Sequence, residues 1–114
     1  MINVFGLMNC DNCRQAVKDL KAASIAYNFH DFRRDGLDSD KLKTWFTFMD
    51  YEAFLNKRGT TWRGLSEKDK ENLNSKTVIA LMIQFPAIIK RPVFEIEDKI
   101  LVGYKELQKK VLGL

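Results

Sequence analysis

The first 32 residues alternate between two apolar runs and one amphipathic segment, and this alternation restricts the fold more than any other feature of the sequence. Residues 1–6 are β-branched and aromatic and end in glycine, which predicts a buried strand. Residues 26–32 predict a second strand. The segment between them places four residues on one helical face: Cys13, Ala16, Val17 and Leu20. Strand, helix and strand within about 30 residues predict a βαβ unit with parallel strands.

The middle of the chain has helical spacing and contains no linker, repeat or low-complexity tract. We expect a helical insert at about residues 38–89, stopped near its end by Pro86. Helices are expected to open near four residues: Asp38, Tyr51, Ser66 and Asn74.

The last third returns to short strands. Residues 93–96 and 99–102, joined by Glu97-Asp98, predict an antiparallel hairpin, and residues 104–112 predict a closing helix. The order βαβ, helical insert, ββα is that of an α/β, thioredoxin-like fold. A chain of 114 residues is expected to form a single domain, residues 1–114.

Composition argues against several classes of partner. The 19 basic and 15 acidic residues leave a net charge of +4, and the cations are dispersed rather than gathered in the dense stripe that nucleic-acid binding requires. We therefore expect no direct nucleic-acid partner. No apolar run approaches the roughly 18 residues of a membrane span, so no membrane partner is expected either. Residues 1–6 carry no positive n-region, and a cytoplasmic location is expected.

Two cysteines, Cys10 and Cys13, lie in one short segment. A lone pair at this spacing in a cytoplasmic protein does not indicate a disulfide framework. A structural zinc ion needs four ligands, and His30 is the single histidine, so no bound metal or cofactor is expected. Redox chemistry remains, with two inert packed thiols as the alternative.

Cys10 is the candidate nucleophile. It lies where the first strand passes to the helix, and Asp11 or Asn12 is expected to cap that helix. Unpaired amides and the positive end of the helix dipole are expected to lower the pKa of Cys10, and Arg14 adds positive charge. Cys13 lies in the first helical turn, where a thiol can resolve a mixed disulfide formed on Cys10.

Arg58 and Arg91 are candidates for holding an anion beside Cys10, because guanidinium groups match the oxygens of carboxylates and oxyanions. The alternative is that both are ordinary surface arginines. Pro92 follows Arg91 at the start of the third strand, where thioredoxin-like folds keep a cis-proline facing the cysteine. We therefore expect a structural cis bond at Pro92.

Four motifs in order resemble the ArsC family, and most closely its YffB and Spx-like branch. They are residues 9–16 (NCDNCRQA), 31–37 (DFRRDGL), 55–63 (LNKRGTTWR) and 86–93 (PAIIKRPV). The resemblance implies a thioredoxin-like fold with a helical insert.

The resemblance also implies a choice of functions. Arsenate reductases of this family attack arsenate with the cysteine at the position of Cys10, hold the oxyanion with arginines at the positions of Arg58 and Arg91, and use glutathione and a glutaredoxin. Their third arginine falls near Gly103, where this sequence has none. YffB-like members imply a glutathione-dependent thiol reductase acting on a small anionic or disulfide substrate. Spx-like members imply a regulator that binds RNA polymerase through a Cys10–Cys13 disulfide switch.

Overall fold

The computed structural model describes residues 1–114, and the contacts among them divide the chain into two units. The first unit is Met1–Gly36 with Arg91–Leu114, and the second is Leu37–Lys90, within which the expected insert falls. The elements in chain order are β1 (Ile2–Gly6), α1 (Asp11–Ala22), β2 (Tyr27–Asp31), α2 (Ser39–Phe48), a 3₁₀ turn (Tyr51–Phe54), α3 (Thr60–Gly64), α4 (Glu67–Lys70), α5 (Thr77–Gln84), a second 3₁₀ turn (Pro86–Ile88), β3 (Val93–Ile96), β4 (Lys99–Val102) and α6 (Glu106–Leu112).

The first unit contains a four-stranded sheet in the order β2-β1-β3-β4. β1 pairs with β2 in parallel and with β3 antiparallel, and β3 pairs with β4 antiparallel. The register aligns Gly6 with Asp31 and Phe5 with Val93. The carboxyl ends of β1 and β2 therefore lie at the same edge of the sheet as the amino end of β3. This topology confirms the predicted α/β, thioredoxin-like fold.

Apolar side chains from the sheet and from both helices of the first unit form one buried cluster. Its members are Ile2, Val4, Ala16, Leu20, Phe94, Tyr104 and Leu112. α1 contributes the face predicted from its spacing, and Leu20 on that face is fully buried. No helix in the chain combines the length and the apolar character that crossing a bilayer requires.

The start of α1 differs from the prediction. Cys10, rather than Asp11 or Asn12, is the N-cap residue, with extended backbone angles (φ −95°, ψ 124°). Its carbonyl accepts the amide of Arg14 at 3.0 Å, which closes the first helical turn. The side chain of Cys10 therefore occupies the capping position itself.

The second unit is helical, as its spacing predicts. The Asp38 carboxylate caps α2 by accepting the amide of Asp40 at 2.9 Å. Trp45 of α2 stacks on Phe54, with ring centroids 5.7 Å apart. α3, which begins at Thr60, was not predicted, because residues 60–64 lack a side-chain cap and bury no residue.

The buried cluster of the first unit gives a direct stability test with a matched pair of leucines. Leu20→Ala leaves a cavity in that cluster and is expected to lower the free energy of unfolding by about 3 kcal/mol. Leu107→Ala on α6, where the side chain is 70% exposed, is expected to change it by less than about 0.5 kcal/mol. Urea denaturation followed by circular dichroism measures both, and equal losses would contradict the assigned core.

Candidate active site

Cys10 lies in a short connection between β1 and α1, and its side chain is partly exposed. Its amide donates to the carbonyl of Leu7 at 3.1 Å, which turns the chain from the strand into the helix. The sulfur accepts a hydrogen bond from the backbone N–H of Cys13, one of the first-turn amides that have no partner within the helix. The helix start therefore stabilises a negative charge on Cys10.

Two side chains add to this effect. The thiol of Cys13 donates a hydrogen bond to the sulfur of Cys10, and the guanidinium of Arg91 contributes a further hydrogen bond and its charge. These interactions outweigh partial burial and lower the pKa of Cys10 to about 5. At neutral pH, Cys10 is therefore a thiolate that remains accessible to a substrate.

Cys13 is fully buried and has the opposite character. The hydrogen bond that it donates to Cys10, together with burial, raises the pKa of its thiol above the ordinary range. A Cβ atom at Gly6 would lie 2.4 Å from the sulfur of Cys13, so glycine is required there to admit the thiol behind β1. Cys13 is thus a protonated thiol held ready beside a thiolate.

Arg91 and Pro92 precede β3 at the same edge of the sheet. The peptide bond between them is cis. The Cβ of Arg91 lies 3.9 Å from the position a Cβ would occupy at Gly6, next to Cys13. The carbonyl of Pro92 accepts the amide of Gly103 at 2.8 Å, which ties this segment to the end of β4.

Asp31 holds the other side of the Cys10 connection. Its buried carboxylate accepts the amide of Met8 at 2.9 Å and the amides of Arg33 and Arg34 at 2.8 and 3.1 Å. Burial raises the pKa of Asp31, but these three donors outweigh it and hold the pKa below its ordinary value. The end of β2 is thereby linked to the residue two positions before Cys10.

The other two predicted anion ligands are Arg14 on α1 and Arg58 just before α3. Arg14 is exposed on α1, where its guanidinium pairs with the carboxylate of Asp11 and donates to the carbonyl of Met8 at 3.5 Å. Arg58 is exposed in the second unit, and its amide donates to the side chain of Asn56 at 3.1 Å. The anion-binding roles of Arg14 and Arg58 stay predictions.

Sequence reasoning missed Gly6 and Asp31. The requirement for glycine at position 6 arises from the sulfur of Cys13, seven residues away in the chain, and no local sequence pattern shows this contact. Asp31 did carry a signal, because a carboxylate at the carboxyl end of a parallel strand is placed to accept amides from the adjacent connection. No group of three or more His, Cys, Asp or Glu side chains in the chain is arranged to hold a metal ion.

Residues 5–111 match the model of the ArsC family. An uncharacterized protein of Haemophilus influenzae is 39% identical over 106 residues, which cover 93% of each chain. The solved structure of a YFFB protein is 34% identical, covers 98% of each chain and superposes with a TM-score of 0.91. The global transcriptional regulator Spx of Streptococcus pyogenes is 23% identical over 108 residues, which cover 93% of this chain and 80% of the regulator.

The pH dependence of Cys10 alkylation tests the hydrogen bond between the two thiols. The rate with iodoacetamide is expected to be half-maximal near pH 5 and to fall as the pH drops through that value, because protonation removes the nucleophile. Cys13→Ala removes the strongest donor and is expected to raise the midpoint by about one unit or more. Cys10→Ser reports any background from Cys13, and a native midpoint near the ordinary value of about 8.5 would contradict the activated thiolate.

The link from Asp31 to the Cys10 connection is tested by hydrogen exchange at the amide of Met8. Asp31→Asn replaces one acceptor oxygen by a donor, so exchange at Met8 is expected to accelerate roughly tenfold. Asp35→Asn removes the same charge from the same turn but no acceptor of the Met8 amide, and is expected to leave that exchange unchanged. Equal acceleration in both variants would indicate general loosening of the turn instead.

Proposed function

This chain belongs to the ArsC family, and we propose that within it the protein is a glutathione-dependent thiol reductase with Cys10 as the nucleophile. The observation that carries the proposal is the Cys10 sulfur itself, which is partly exposed and has a pKa lowered to about 5 by Cys13 and Arg91. A cysteine with a purely structural role does not need an exposed sulfur with a lowered pKa, whereas thiol–disulfide exchange requires a thiolate that is accessible to its substrate.

The first step is exchange with a substrate disulfide, R–S–S–R′. The Cys10 thiolate attacks one sulfur, a Cys10–S–S–R bond forms, and the original disulfide breaks. R′S⁻ leaves and takes a proton from water. Arg91, which lies beside the sulfur, is placed to stabilise the negative charge that passes through the transition state.

The second step returns Cys10 to its thiolate. One glutathione thiolate attacks the mixed disulfide on Cys10 and releases RS⁻, which leaves glutathione attached to Cys10. A second glutathione, or a glutaredoxin acting in its place, then removes that group as glutathione disulfide. The substrate disulfide gains two electrons and two protons, and two glutathione thiols supply them.

Cys13 offers an internal route for the same step. Its pKa is raised chiefly because it donates to the Cys10 thiolate. Once Cys10 is in a mixed disulfide this acceptor charge is gone, so the Cys13 thiol loses its proton more readily and attacks Cys10. The bond between Cys10 and the substrate sulfur breaks, and RS⁻ leaves and takes a proton. The product is a Cys10–Cys13 disulfide, which two glutathione thiols reduce as they become glutathione disulfide.

Arsenate is a weaker candidate than a disulfide. The third arginine that the resemblance places near Gly103 is absent, and Gly103 has a φ of +90°, a backbone conformation that other residues rarely adopt. Substitution by arginine at this position is therefore strained. We propose disulfides as the principal substrates for this reason.

A redox-switched regulator is the second candidate function. It is favoured by the pairing of the two thiols and by the likeness to the regulator Spx, and its partner would be RNA polymerase. A Cys10–Cys13 disulfide removes the thiolate and draws the two cysteines together at the start of α1. In this case, oxidation changes affinity for a protein rather than completing a catalytic cycle.

Glutathione-coupled reduction of a mixed disulfide, measured through glutathione reductase and NADPH, tests the first candidate. Cys10→Ser is expected to reduce turnover to the uncatalysed background, whereas Cys13→Ser is expected to keep measurable turnover and to accumulate a glutathione adduct on Cys10, seen by mass spectrometry. Full turnover in Cys10→Ser rejects the proposal. A native protein that forms the internal disulfide without turnover, and captures RNA polymerase in one redox state, supports the second candidate.

A further inference from the structure

A groove lies along α1 beside the Cys10 connection, and the proposed reaction does not account for it. It encloses about 270 Å³ and is lined by Met8, Arg14, Val17, Lys18 and Lys21. Met8 precedes Cys10 by two residues and is 48% exposed. Met8, which lines the groove, thus belongs to the same short connection as Cys10.

The lining of the groove combines three cationic side chains, here called the cationic rim, with two apolar side chains. Arg14, Lys18 and Lys21 follow one another on one face of α1, and neither lysine forms an ion pair. The carboxylate of Asp19 accepts two hydrogen bonds outside the groove lining, from the hydroxyl of Tyr104 at 2.5 Å and from the side-chain amide of Gln15 at 2.9 Å. Asp11 offsets the charge of Arg14, and the charge of Lys18 acts in part on Asp19, so Lys21 and part of the charge of Lys18 remain for a ligand.

The apolar part of the lining consists of Met8 and Val17. An exposed methionine is flexible and polarizable, and it accepts apolar side chains of different shapes. A volume of about 270 Å³ holds one or two side chains rather than a folded element. The groove thus favours a short segment in which an apolar side chain stands between carboxylates.

The spacing of the cations agrees with an extended peptide. Seven residues of helix separate Arg14 from Lys21, a rise of about 10 Å. About three to four residues of extended chain cover the same distance. Because alternate side chains of an extended chain share a face, carboxylates four positions apart, with an apolar side chain midway between them, face the groove together and reach both ends of the cationic rim.

We propose that this groove binds an acidic polypeptide segment, with an apolar residue among its carboxylates, that flanks the reactive cysteine of the substrate. The proposal rests on the proposed function, since it assigns the substrate class of Cys10. It selects a polypeptide over glutathione, because glutathione has no apolar side chain to place on Met8 and Val17. The cationic rim raises the rate of encounter with such a segment and holds it while exchange takes place.

The test measures the attack of Cys10 directly, on peptides whose single cysteine is a mixed disulfide with 5-thio-2-nitrobenzoate. Attack by Cys10 joins the peptide to the protein and releases the coloured thiolate, so no glutathione is needed. One peptide carries Glu-Ser-Leu-Ser-Glu beside the cysteine, and its match carries Lys-Ser-Leu-Ser-Lys, so that the leucine and the charged side chains share one face of the extended chain. At low salt, the native protein is expected to react about tenfold faster with the acidic peptide, and high salt is expected to reduce this ratio.

Variants then assign the preference to the groove. In Lys18→Gln/Lys21→Gln, the ratio of the acidic rate to the basic rate is expected to approach one. Lys99→Gln/Lys110→Gln removes the same charge from two exposed lysines that do not line the groove, and is expected to keep the native ratio. A Glu-Ser-Ala-Ser-Glu peptide is expected to react more slowly than the Glu-Ser-Leu-Ser-Glu peptide, because it leaves Met8 and Val17 without a partner.

The outcomes separate this proposal from the one on which it rests. Equal rates for acidic and basic peptides in the native protein overturn the groove, and so does an equal loss of preference in both lysine variants, which indicates the net charge alone. The neutral disulfide of 2-mercaptoethanol, tested on the native protein, reports whether Cys10 performs exchange at all, because attack by Cys10 releases 2-mercaptoethanol. If that substrate reacts and the peptide preference is absent, the reductase stands without the groove.

Discussion

The hydrogen bond from the thiol of Cys13 to the sulfur of Cys10 is the interaction on which the rest of the site depends. It moves the two pKa values in opposite directions, which leaves an accessible thiolate beside a buried thiol. The pair behaves as one unit, because any change that consumes the charge on Cys10 also removes the acceptor that keeps Cys13 protonated. The accessible thiolate and the buried thiol are thus coupled by a single proton.

Contacts of three residues maintain the geometry of the two cysteines. Gly6 leaves space for the sulfur of Cys13, while the carboxylate of Asp31 fixes the amide of Met8 on the approach to Cys10. Arg91 reaches the same place from the start of β3. Gly6 and Asp31 end β1 and β2, and Arg91 precedes β3. They meet because the order β2-β1-β3 brings two carboxyl ends and one amino end to one edge of the sheet.

The parts of the fold that the sequence predicts are those with a local cause. The strands, the buried face of α1 and the hairpin of β3 and β4 follow from periodicity and turn residues. The spacing of Cys10 and Cys13 predicts redox chemistry, with two inert packed thiols as the alternative. α3 escaped prediction because it has neither a capping side chain nor a buried face. The three hydrogen bonds that backbone amides donate to the Asp31 carboxylate were not predicted. The amides of Arg33 and Arg34 reach this carboxylate only when the turn after β2 is folded.

The proposed choice of a disulfide over an oxyanion rests on Gly103 and α1 together. An oxyanion is small and needs several cations around one point, and the positive φ of Gly103 disfavours an additional arginine there. The cations of α1 are instead arranged along a line of about 10 Å beside a groove that Met8 and Val17 also line. A linear arrangement suits charges distributed along a chain. The groups that activate Cys10 are different ones, Cys13 and Arg91. In the proposed reaction, substrate recognition and activation of Cys10 are therefore supplied by different groups, so that substrate choice can vary while the exchange chemistry stays the same.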